Sequence, residues 1–175
     1  VRDGEWWRLV TYGYVHGGLL HIAFNLFVLS QVGPVLERHI GSARLFCLYT
    51  LALLGGGAAD LLVRGSSGIV IVGASGAIFG LIGFGVSYGH FTGGFEGRAQ
   101  RNFYLHWAAY GFLFGLIVGA DNIAHAGGFV AGGVLGWVME REDRSGRSPA
   151  GAWSLLSAAL AVLTAAAFGW LIWGA

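Results

Sequence analysis

Residues 124–136 read Ala124-His125-Ala126-Gly127-Gly128-Phe129-Val130-Ala131-Gly132-Gly133-Val134-Leu135-Gly136. On a helix, Gly128, Gly132 and Gly136 fall in one column, and His125 lies three residues before the first of them. Small residues at four-residue spacing let membrane helices approach closely. A second stretch, Gly73-Ala74-Ser75-Gly76-Ala77-Ile78-Phe79-Gly80, has the same design, with Gly76 and Gly80 just below Ser75. If the two bare stripes face each other, the helices carrying Ser75 and His125 are pressed together. The fold expected from this pairing is an all-α, polytopic bundle of transmembrane helices.

The rest of the chain agrees. Of 175 residues, 55% are hydrophobic and 11% charged, against about 25% charged in ordinary soluble domains. Six apolar runs, at about 17–36, 43–63, 74–90, 103–119, 124–139 and 153–174, each approach the roughly 17–25 residues that cross a bilayer. A net charge of +1 gives no footprint for nucleic acid, and the single cysteine, Cys47, excludes an internal disulfide and multi-thiolate metal sites. No metal or cofactor is expected; the expected partners are membrane lipids and transmembrane proteins. The 32 glycines show no collagen period, and the two stripes give some of them a use.

Cytoplasmic loops are enriched in Lys and Arg, and here only arginine votes. Arg2, Arg8 and Arg64 fall on one side, and Arg38, Arg44, Arg98, Arg101, Arg141, Arg144 and Arg147 on the other. That puts the N-terminus outside, and the first, third and fifth runs all descend from the outer face. Each of these runs opens with polar residues that are costly in lipid and usually mark function. They are His16, His21 and Asn25 in the first, Ser75 in the third, and Asp121, Asn122 and His125 in the fifth.

A serine, histidines and an asparagine therefore meet at one depth. Serine needs an adjacent base to act as a nucleophile, most often histidine; Ser75 and His125 supply that pair. Acyl transfer also needs donors aimed at the developing oxyanion. His21 and Asn25, spaced i, i+4, share one helical face, and the glycine-flanked helix start at Ser75 offers unpaired N–H groups.

At these residues the chain resembles the rhomboid family of intramembrane serine proteases. The resemblance rests on Glu5-Trp6-Trp7-Arg8, the spacing of His16, His21 and Asn25, Gly73-Ala74-Ser75-Gly76, and Ala124-His125-Ala126-Gly127-Gly128 with Gly132 following. It implies a serine endopeptidase that cleaves transmembrane helices near their outer ends through a Ser75–His125 dyad. It further implies an oxyanion hole of His21, Asn25 and the Ser75 backbone N–H, helix packing at Gly73, Gly76, Gly80, Gly128 and Gly132, and supporting places for His16 and Phe79. Phe79 stands where bacterial members often carry a tyrosine that stacks on the base, and a phenyl ring can stack in its place. The domain reading is a core over 1–140, a polar cytoplasmic linker over 141–152, and an additional C-terminal transmembrane helix over 153–175. The family's helix before the Trp-Arg loop is absent from the sequence, and Val1 is not an initiator, so a fragment is expected. Absent lysine with abundant Gly, Ala and Arg points to a GC-rich bacterial genome, and hence to a bacterial cell membrane, with the arginine topology opening the site to the outer face.

Other polar residues receive plainer readings. Asp121 is expected to cap the fifth helix, which is expected to start near Ile123, rather than to complete a triad. Asp60 and Gln31 are read as interhelical partners, and Arg8 as a loop anchor. Two other functions compete: an inactive binder of transmembrane segments, and a transporter or channel relaying protons through histidines. Retention of both Ser75 and His125 disfavours the first. The stopping of the polar groups at one depth, with no paired broken helices, disfavours the second.

Overall fold

The computed structural model describes residues 4–65, 71–146 and 149–174. Arg2 and Arg147, which enter the arginine count, lie outside these residues. A short helix, α1 (Arg8–Thr11), and a 3₁₀ turn (Tyr12–Tyr14) precede six long helices: α2 (Leu19–Ile40), α3 (Ser42–Arg64), α4 (Ser75–Thr92), α5 (Gly94–Val118), α6 (Asn122–Arg144) and α7 (Ala150–Trp173). The six apolar runs correspond one to one with α2–α7.

Helix α4 is the central post. It packs against α2, α3, α5 and α6, most intimately against α6, and an unbroken stretch from Gly76 to Gly85 is buried. Its 18 residues rise about 27 Å, enough to match a hydrocarbon core. With helices on every side there is no room for bulk all round, and glycine repeats where neighbours come closest. At the rim the opposite holds. Helices α2, α3 and α7 are long and apolar enough to cross a membrane by length and composition, and α7 exposes Leu155, Val162, Ile172 and Trp173. Exposed apolar side chains around a closed bundle are what a lipid environment requires, and the protein is an integral membrane protein.

Turns are made by glycines at positive φ. Gly41 (φ 83°) alone separates α2 from α3, Gly93 (φ 71°) separates α4 from α5, and Gly119 (φ 69°) closes α5 in the left-handed conformation. Pro34 sits inside α2 without ending it, as membrane helices tolerate.

Ion clusters tie both ends of α6 to α3. At the Ser75 end, Arg64 Nη1 contacts Asp60 Oδ1 at 2.9 Å and Asp121 Oδ2 at 2.7 Å. At the far end, Arg44 binds Asp143 at 2.7 Å and Glu142 at 3.0 Å, Tyr88 donates to Asp143, and Trp153 Nε1 donates to Glu142 at 2.8 Å. The positive residues thus sit at opposite ends of α3, as a spanning helix requires.

Two boundaries differ from the sequence reading. Helix α5 starts at Gly94, not near 103, because Glu96, Arg98 and Arg101 belong to about two and a half further turns ahead of the apolar run. The stretch 141–152, expected as a linker, is largely helical: α6 continues to Arg144 and α7 begins at Ala150. The reason is the cluster around Arg44, joined by Arg144 bound to Glu140 at 2.5 Å, which gives charged side chains partners on a helix. Gln31 is exposed on α2 and bonds locally, to Ser30 Oγ at 3.3 Å, and among the described residues it is not an interhelical partner. Asp60 reaches α6 through Arg64.

Candidate active site

The site begins where α4 begins. Gly73 adopts φ 116°, a conformation that favours glycine, and a Cβ there would lie 2.7 Å from the His21 ring. Its N–H donates to Tyr12 O at 3.0 Å, and the next N–H, of Ala74, donates to His16 Nε2 at 3.4 Å. Tyr12 is itself held by a 2.6 Å bond from its hydroxyl to Leu53 O. The segment around the 3₁₀ turn therefore clamps the chain entering Ser75, the first residue of α4. Arg8 in the preceding segment pairs with Glu5 at 2.7 Å, and this bond holds the half-buried Glu5 carboxyl below its usual range.

His125 lies one turn into α6. Asp121 caps that helix, its Oδ1 accepting from the Ile123 and Ala124 N–H groups at 3.0 and 3.1 Å while Oδ2 takes Arg64. Asp121 is thus engaged away from the imidazole. His125 Nε2 stands 2.8 Å from Ser75 Oγ.

Two backbones must nearly touch for this. A Cβ on Gly128 would collide with the Gly76 carbonyl oxygen, and one on Gly132 with that of Gly80. Gly136 continues the seam against Phe84 O, 2.7 Å from where its Cβ would sit. On α4, a Cβ on Gly80 would strike Ala52 of α3. The α6 stripe fits against α4 carbonyls, whereas Gly80 makes room for α3 as well.

Phe79 stacks on the His125 ring, with centroids 4.2 Å apart and planes 14° from parallel. Its far edge abuts α5, where a Cβ on Gly111 would lie 2.6 Å from Cζ. His21 and Asn25 join Ser75, His125 and Phe79 in lining a cavity of about 470 Å³ between α2, α4 and α5. Asn25 is buried and donates one N–H to His21 O at 3.0 Å, leaving its second N–H uncommitted by that bond. A neighbouring cavity of about 710 Å³ brings Arg64 and Asp121 to the same serine, together with His21 and Gly73. His16 stands behind His21, with ring centroids 5.1 Å apart, and touches the site through the Ala74 amide.

One contact escaped the sequence reading: Asn122 Oδ1 lies 3.0 Å from His125 Nδ1. The i, i+3 spacing was a signal for it, but a helix start placed at Ile123 leaves Asn122 outside the helix.

A family model for the rhomboid domain matches residues 3–142. RHOMBOID-like protein 5 of Arabidopsis thaliana is 33% identical over 155 residues, covering 79% of this chain and 46% of that protein. Rhomboid protease GluP of Bacillus subtilis is 32% identical over 185 residues, covering 99% of this chain and 33% of its own length. YdcA of the same bacterium is 32% identical over 146 residues, covering 82% of this chain and 73% of its own. The chain thus spans less than half the length of the first two relatives. With four-fifths of its residues inside the domain match, the chain belongs to the rhomboid family.

Proposed function

We propose that the protein is an intramembrane serine endopeptidase that cleaves transmembrane-helix substrates near their outer ends. In this reading residues 1–140 form the catalytic core, and α7 is an addition to it. The observation that carries the proposal is the 2.8 Å contact between Ser75 Oγ and His125 Nε2 at the wall of an open cavity.

His125 Nε2 accepts the Ser75 proton as Oγ attacks the scissile carbonyl carbon. The carbonyl oxygen becomes an oxyanion that takes hydrogen bonds from the Ser75 N–H, His21 and the second N–H of Asn25. The imidazolium then passes the proton to the leaving amine as the C–N bond breaks, and water hydrolyses the acyl-enzyme by the same steps in reverse roles. Stacking of Phe79 holds the imidazole plane while its charge changes. Because helical carbonyls are already hydrogen bonded, the substrate must unwind locally before it can be attacked. The larger cavity, lined by the polar groups of Arg64, Asp121 and Ser75, supplies a water path to a site inside the membrane.

The test is labelling of the detergent-solubilised protein by a serine-directed phosphonate, located by mass spectrometry. Ser75 should carry the adduct, and Ser75→Ala and His125→Ala should lose both adduct formation and cleavage of a transmembrane substrate. Undiminished cleavage by either variant would refute the assignment.

A further inference from the structure

We infer that Asn122 is a positioning residue that fixes which nitrogen of His125 carries the proton, and that α5 sets this choice through a backbone carbonyl. The inference rests on the protease reading for its consequence, though not for its geometry.

The deduction starts at Phe112 O on α5. A carbonyl only accepts, and Asn122 Nδ2 lies 3.3 Å from it, so the amide nitrogen of Asn122 is the atom turned to this carbonyl and its oxygen is left for another donor. That oxygen is 3.0 Å from His125 Nδ1. An amide oxygen also only accepts, so Nδ1 carries the hydrogen. A neutral imidazole has one N–H, and Nε2, 2.8 Å from Ser75 Oγ, is left with its lone pair pointing at the serine. Four atoms in series therefore select the one tautomer that can take the Ser75 proton. In the Ser-His-Asp arrangement a carboxylate orients the base in this way; here a neutral amide does so, and it stabilises the imidazolium less.

Space for the amide is reserved on α5. A Cβ on Gly115 would collide with Asn122 Oδ1 and lie 3.2 Å from its Cγ. Gly115 thus permits the contact, and any side chain there displaces it.

The ionisable groups around His125 leave this role open to Asn122. On α6 itself, Asp121 is held by Arg64 and by two backbone amides. From α3 come Asp60 and Arg64, paired with one another. From α2 comes His21, from the 3₁₀ turn Tyr12, and from α5 Tyr110 at the cavity wall. None of these is the partner of Nδ1.

The first measurement uses the unmodified protein: ¹⁵N-histidine NMR of the full chain in nanodiscs at alkaline pH, with the His125 signals identified by their loss in His125→Gln. The expected result is a protonated Nδ1 and an unprotonated Nε2. A protonated Nε2 would overturn the inference, and this readout holds even if the protein cleaves nothing. The second uses variants. Asn122→Leu and Gly115→Ala should each give mixed tautomers and slow phosphonate labelling of Ser75 by about tenfold to a hundredfold, less than the full 10²–10⁴ that a positioned base supplies because part of the imidazole keeps the working tautomer. Asn122→Asp keeps an acceptor at Nδ1, so labelling should recover, with the acid limb of its pH profile moved to higher pH because a carboxylate favours the imidazolium. An unaltered tautomer and labelling rate in Asn122→Leu would overturn the inference. Absence of labelling in the unmodified protein would instead refute the protease reading, with the NMR result still deciding the role of Asn122.

Discussion

Replacing Gly128 by alanine tests whether the glycine seam sets the distance between Ser75 and His125. The added methyl would meet the Gly76 carbonyl carbon at 2.8 Å and its Cα at 3.3 Å, and would overlap the carbonyl oxygen. Backbone cannot rotate aside as a side chain can, so α6 must retreat from α4 by more than about 1 Å to restore ordinary contact near 3.4 Å with the carbonyl oxygen. Ser75 Oγ and His125 Nε2, now 2.8 Å apart, would then exceed the reach of a hydrogen bond, about 3.2 Å. Overpacking of this kind costs about 1–3 kcal/mol, which leaves a protein of ordinary stability, about 5–15 kcal/mol, folded. Misplacing a reacting group by about 1 Å costs roughly a hundredfold in rate. Phosphonate labelling and cleavage in proteoliposomes should therefore fall about a hundredfold, while the thermal midpoint drops only modestly. Gly133→Ala is the control. It lies on the same helix, but the nearest atom to its added Cβ is 3.8 Å away, so it should label normally. Normal labelling of Gly128→Ala, or equal damage from Gly133→Ala, would refute the reasoning.

Two further outcomes follow from the site. His125 accepts a proton only when neutral, so activity, measured with an uncharged substrate, should fall on acidification once the imidazole takes up a proton; a rate that holds until the protein unfolds in acid would exclude His125 as the base. Asp121→Ala removes a cap worth about 1–2 kcal/mol and leaves Arg64 with Asp60 alone, lowering the thermal midpoint, whereas Asp121→Asn keeps the cap oxygen and should lose less.

Much of this arrangement is legible in the sequence because membrane helices run straight between two faces. Once Ser75 and His125 each open an apolar run descending from the same side, they share a depth, and glycines at four-residue spacing say which helices touch. Asp121 was equally readable, since its position just before the run suits a cap. What stayed hidden depends on single residues at helix ends. Asn122 reaches Nδ1 only because α6 starts one residue earlier than its apolar pattern does. The first turns of α5 carry Glu96, Arg98 and Arg101, whose charges disguise them as a loop. The docking of α7 was also unreadable: beside its packing on α3, it uses Trp170 against Trp7 and Phe168 against Tyr14, aromatics that look like lipid-facing residues in a linear reading.

The clamp ahead of α4 has a consequence for how charge is received there. Gly73, Ala74 and Ser75 offer three amide hydrogens in succession. The first is matched by a peptide oxygen, Tyr12 O, and the second by an imidazole lone pair on His16. In the proposed mechanism the third falls to the substrate's oxyanion. The row works as a graded receptor in which two acceptors built into the chain hold the frame still, so the third dipole needs little reorganisation when negative charge appears before it. Its rigidity is borrowed from the segment beginning at Trp7, and through Trp7 and Tyr14 from the last helix of the chain. The helix farthest from Ser75 in sequence thus helps to decide how still that amide is.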